Sequence, residues 1–122
     1  MNSKRVVVTG LGALTPIGNN IEEYWNGLIA GKSGADFITR FDASKFKTQF
    51  ACELKGFNSL DYFDRKEARK LDPFCQYALV ASDEAILDAR LDLNSIDKDR
   101  VGVIWGAGIG GLETFQNEVL NF

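Results

Sequence analysis

The sequence predicts an α/β fold, and three observations carry that prediction. Two short runs read as buried strands: Arg5–Thr9, β-branched with all its central residues apolar and no alternation, and Val101–Trp105; this is the pattern of strands covered on both faces. Each run empties into a glycine-rich loop. Elsewhere apolar residues recur at three-and-four spacing, the period of helices with one inward stripe.

The elements follow in order. Arg5–Thr9 is the first strand. Gly10, Gly12, Thr15, Pro16, Gly18 and Asn19 make a long turn. Asn20-x-x-Glu23 is a capping box that opens a helix. That helix carries Ile21, Tyr24, Trp25, Leu28 and Ile29 on one stripe, and Gly31 closes it as a left-handed cap. Residues 32–62 read as loops pinned by Phe37, Phe41, Phe46, Phe50 and Phe57, with a short strand at Phe50–Leu54. Asp64-x-x-Glu67 starts a short helix. Asp72 then Pro73 starts a longer one, with Asp at the cap and Pro at the first position. Its inward face is expected to hold Phe74, Cys75, Ala78, Leu79, Ser82, Ala85, Ile86 and Ala89, with an end near Arg90. Asn94–Asp97 is a turn, Val101–Trp105 the second strand, and Leu112 begins the last helix.

The whole of 1–122 reads as one segment without internal boundary, repeat or linker. A chain this long can bury about two-thirds of its unfolded surface. Two strands that each want cover on both faces nevertheless make a poor sheet, because sheets average about five strands. The expectation is an α/β fold that is incomplete in this chain.

Composition narrows the function. Net charge is −3, with 17 acidic and 14 basic residues, which argues against a general nucleic-acid or membrane-surface binder. No apolar run reaches the eighteen residues of a spanning helix. The start, Met1–Val8, imitates a signal peptide, but Thr9, Gly10, Gly12, Thr15 and Pro16 break it and no cleavage pattern follows. Cys52 and Cys75 form no motif, so a reducing compartment is expected. No histidine is present, and no metal site or cofactor is expected. Both cysteines read as structural: Cys75 lies on an apolar helix face, and Cys52 has a carboxylate beside it.

Two motifs carry chemistry. Gly106-Ala107-Gly108-Ile109-Gly110-Gly111 fits G-x-G-x-x-G between a strand and a helix. It admits three readings: a nucleotide-binding loop at a helix N-terminus, a turn of close packing, or one wall of a narrow apolar channel at Ile109. Arg65, Lys66, Arg69 and Lys70 crowd one face of a short helix, which is either a solvated face or a dock for an acidic partner.

At this point the residues resemble a known family. The stretch from Arg5 to Asn19, then Phe41-Asp42, Arg65 through Lys70, and Val101 through Leu112 together resemble elongating type II β-ketoacyl-acyl carrier protein synthases. The resemblance covers essentially the whole chain. It implies the thiolase-like fold, a mixed sheet between helices in two similar halves, with this chain as the front of the first half. It implies a homodimeric cytoplasmic parent that condenses acyl-enzyme with malonyl-acyl carrier protein in fatty acid elongation. The family's catalytic cysteine and two histidines match nothing in these 122 residues, so the chain alone is expected to be inactive. Ile109 and Gly108 match the acyl-pocket wall. Lys66, Arg69 and Lys70 match the patch that receives the acidic acyl carrier protein with its acyl-phosphopantetheine. Ala107 departs from the serine common there. A nucleotide-binding module using Gly106–Gly111, or a non-catalytic synthase-like partner subunit, are the alternatives.

Overall fold

The computed structural model describes residues 4–122; Met1–Ser3, the start of the signal-like stretch, lie outside the described residues. Two compact units divide the chain. One is Ala13–Asn58, and the other joins the residues up to Gly12 with Ser59–Phe122.

In the 13–58 unit, helix α1 spans Ile21–Ile29. Its start is the foreseen box with one change of partner. Asn20 Oδ1 accepts from Glu23 N at 2.8 Å, while the Glu23 carboxylate accepts from Asn19 N, one residue earlier. Its end is a Schellman cap. Gly31, at φ 62, donates to Leu28 O, and Lys32 N donates to Gly27 O. An antiparallel ribbon follows, β1 Asp36–Phe37 with β2 Phe50–Ala51, in the register Asp36↔Ala51 and Phe37↔Phe50. Strand β1 was not foreseen, and β2 is shorter than the expected 50–54. The aromatics are not buried anchors either. Phe37, Phe41, Phe46 and Phe50 are exposed. Phe41 and Phe46 instead meet edge-to-face at 5.6 Å, a geometry the ring quadrupoles favour.

The other unit is built on α3, Pro73–Asp88, preceded by α2, Arg65–Ala68, and followed by α4, Leu112–Leu120. A short 3₁₀ turn, Lys98–Arg100, lies between α3 and α4. The buried positions of α3 are Gln76, Val80 and Ala81, whereas Leu79, expected inside, is exposed. Alanine and aliphatic residues surround this helix on most sides, so apolar spacing alone does not select its inner face. Close approach selects it. A side chain at Gly10 would collide with the carbonyl of Ala85, and one at Gly12 with that of Ala81. The backbone of residues 10–12 lies on the Ala81, Ala85, Ala89 row, and Leu11 N donates to Asp88 Oδ2 at 2.9 Å.

Neither Arg5–Thr9 nor Val101–Trp105 forms a strand. Residues expected to be covered are open, with Val6 91% and Ile104 98% exposed. A strand persists only where its N–H and C=O groups meet a neighbour. Among the described residues the ladder is limited to the β1–β2 pair, with a single further bridge between Thr15 and Gly18.

Candidate functional site

The basic cluster sits where the chain turns from α2 into α3. Asp64 caps α2, its Oδ1 accepting from Lys66 N and Glu67 N, both at 2.8 Å. The helix is one turn long. Arg69 is its C-cap, and Lys70 lies past its end, donating from its backbone to Glu67 O. Lys66 and Lys70 line one open depression of about 430 Å³ with Asp64, Glu67 and Leu71. Arg69 is exposed but does not line it. Two of the three expected docking cations are therefore brought together, with two carboxylates beside them.

Gln76 fixes this corner. Its side chain is 8% exposed, and its Nε2 donates to Ala68 O at 2.9 Å and Leu71 O at 3.0 Å. The amide satisfies carbonyls that the end of α2 leaves open. Sequence reasoning passed over Gln76. The available signal was a lone amide inside an apolar helix, where burying it without partners is costly.

The glycine loop meets the start of α3. Gly111, at φ 74, begins α4, and a Cβ on it would lie 3.1 Å from Asp72 Oδ2. Gly110 faces the Phe74 ring, 2.7 Å from such a Cβ. Asp72 holds the N-cap position of α3 but makes no side-chain cap bond there. Its Oδ1 instead accepts from the hydroxyl of Thr114. A carboxylate thus stands beside the amino end of α4, where a bound phosphate would have to sit, and its charge would repel one. Ile109 is 75% exposed, and open space surrounds Gly106 and Gly108.

A second depression, about 420 Å³, lies on the ribbon beside Asp36, Thr39, Glu53 and Lys55. Its charges face each other. Lys55 Nζ donates to Asp36 at 2.9 Å, and that bond, with one from Phe37 N, holds the Asp36 carboxyl below its ordinary range. The Thr39 hydroxyl donates to Glu53 at 2.7 Å and lowers that carboxyl likewise. Cys52 is exposed and Cys75 half-buried. Among the described residues no three His, Cys, Asp or Glu side chains gather as a metal site, and no helix is long and apolar enough to cross a membrane.

Residues 3–121 match the family described as β-ketoacyl synthase, N-terminal domain, and the chain belongs to that family. It is 49% identical over 118 residues to 3-oxoacyl-[acyl-carrier-protein] synthase 2 of Synechocystis sp., covering 97% of this chain and 28% of that protein. The enzyme of the same name from Staphylococcus aureus strain COL is 52% identical over 114 residues, covering 93% of this chain and 28% of its own length. The chain thus spans just over a quarter of these relatives. Among solved structures, the ishigamide ketosynthase/chain length factor superposes with a TM-score of 0.66 at 38% identity, over 74% of this chain and 22% of that one. The AntDE:AntF assembly, a type II PKS acyl-carrier protein in complex with its ketosynthase bound to the hexaketide, gives 0.58 at 29% identity, over 77% and 24%.

Proposed function

We propose that residues 1–122 form the N-terminal segment of the first thiolase-like half of an elongating 3-oxoacyl-acyl carrier protein synthase. Its role there is scaffold, acyl-pocket wall and carrier-protein dock. The observation that carries this reading is identity near one-half, over nearly all of the chain, to two 3-oxoacyl-acyl carrier protein synthases.

The parent reaction needs a thiolate to take the acyl group from the carrier thioester. Malonyl-carrier protein then loses CO₂, and the resulting carbanion attacks the enzyme-bound thioester, expelling the thiolate. Oxyanion donors stabilise both negative charges. This chain has no histidine. Cys75 is half-buried in α3. Neither exposed Cys52 nor half-buried Cys75 matches the family's nucleophile, so this reading assigns the nucleophile and the histidine oxyanion donors to other polypeptide and no activity to this stretch alone. The parent is a cytoplasmic homodimer that uses no cofactor.

Within the segment, Lys66, Arg69 and Lys70 receive the acidic carrier protein. The open depression shared by Lys66 and Lys70 supports this role, since exposed cations steer an acidic partner chiefly through its rate of arrival. Ile109 and Gly108 form the pocket wall, where each covered acyl CH₂ contributes about 0.8 kcal/mol. Arg69→Glu in the synthase should lower kcat/KM for acyl-carrier protein about tenfold at low ionic strength, with the gap closing as salt rises. Equal rates at low salt would remove the docking assignment.

A further inference from the structure

Three contacts run in series from the basic corner to the glycine loop. The first is the pair of bonds from buried Gln76 Nε2 to Ala68 O and Leu71 O, which tie the end of α2 to α3. The second is Asp72 itself. Its backbone carbonyl accepts from Cys75 N and Gln76 N, so it moves with the first turn of α3. The third is the Thr114 hydroxyl on the Asp72 carboxylate, together with the close seats of Gly110 on Phe74 and Gly111 on Asp72. Ile109 immediately precedes those two glycines.

We propose that Asp72, Gln76 and Thr114 are positioning residues that couple the docking corner to the loop bearing Ile109. A carrier protein engaging Lys66, Arg69 and Lys70 pulls on α2. The Gln76 clamp, alongside the peptide links of residues 69–72, passes that load to the start of α3. The Asp72–Thr114 bond passes it to α4 and the glycine loop. The loop has a tethered state, with the Thr114 bond made, and a released one, and docking shifts the balance between them. Coupling needs such a two-state element that both sites bias. The inference rests on the docking reading above.

The test uses the full-length synthase and an acyl carrier protein lacking its phosphopantetheine arm, so that no acyl group can reach Ile109 directly. Hydrogen exchange is followed across residues 106–114 with and without saturating carrier. In the wild type, exchange there should change at least about threefold on docking. Thr114→Val should abolish that change while carrier affinity stays within about twofold, and Thr114→Ser, which keeps the hydroxyl, should restore it. Carrier binding with no response at 106–114 overturns the coupling and leaves the docking reading intact. A Thr114→Val variant that still responds overturns it equally. A carrier that does not bind at all defeats the docking reading, and the coupling with it.

Discussion

Arg90 occupies backbone that suits glycine. Its φ is 52, in the left-handed region where a Cβ crowds the next carbonyl. The strain persists because the residue closes α3. Arg90 N donates to Leu87 O and Leu91 N to Ile86 O, the two bonds of a Schellman cap. Gly31 closes α1 with the same pair of bonds and no Cβ. Arg90→Gly should therefore raise unfolding free energy by about 1 kcal/mol. A urea melt checks this. The midpoint should rise at constant slope, and an unmoved or lower midpoint counts against relief of strain. At this scale the sequence was informative in one direction only. Gly31 announced its own conformation, while Arg90 marked the end of a helix but gave no hint of how it ends. Asp72 was legible as a cap position, yet its carboxylate serves Thr114, forty-two residues away, and no local pattern encodes that partner.

Elements with local causes were readable. The caps at Asn20 and Asp64 lie where their side chains and spacing required, because an N-cap answers to N–H groups two or three residues on. The β1–β2 ribbon was half legible, since Asp36–Phe37 carries no alternation and its pairing with Phe50–Ala51 depends on a distant register. Carboxylates around it set its response to acid. Asp36 is lowered chiefly by its bond from Lys55, Glu53 by the Thr39 hydroxyl, and Asp42 by Ser44 N. A carboxyl lowered in the folded state stabilises that state above its unfolded pKa, and the contribution fades as pH falls through the folded value. The ribbon should thus hold at neutral pH and loosen below the ordinary carboxylate range of about 4. Amide exchange at Ile38, whose N–H bonds Gln49 O, reports it. Protection unchanged between pH 6 and pH 3 would show that these carboxylates do not hold the ribbon.

Taken whole, the molecule is short of cover. The buried apolar residues among those described are Ala43, Val80 and Ala81, all small. The apolar pattern of Val6–Val8 and Val101–Trp105 led to an expectation of buried strands, whereas these residues are exposed and unladdered among the described residues, because no local pattern encodes the distant partner a strand needs. Pattern reports what a segment needs, and supply is a property of the rest of the fold. The consequence is measurable. The isolated chain should self-associate without a fixed stoichiometry in the micromolar range, where unpaired strands and exposed apolar surface are adhesive. Light scattering should rise steeply with concentration, and Ile104→Lys should blunt the rise. A monodisperse monomer throughout that range would show these runs to be harmless.

Those bare runs also set a race. Each can be captured by polypeptide in the same molecule or by its twin in another. Capture within a molecule proceeds at a pace indifferent to how crowded the solution is, whereas capture by a neighbour quickens with every added copy. Slow production and low temperature therefore favour a usable product, and haste favours precipitate, from one unaltered gene.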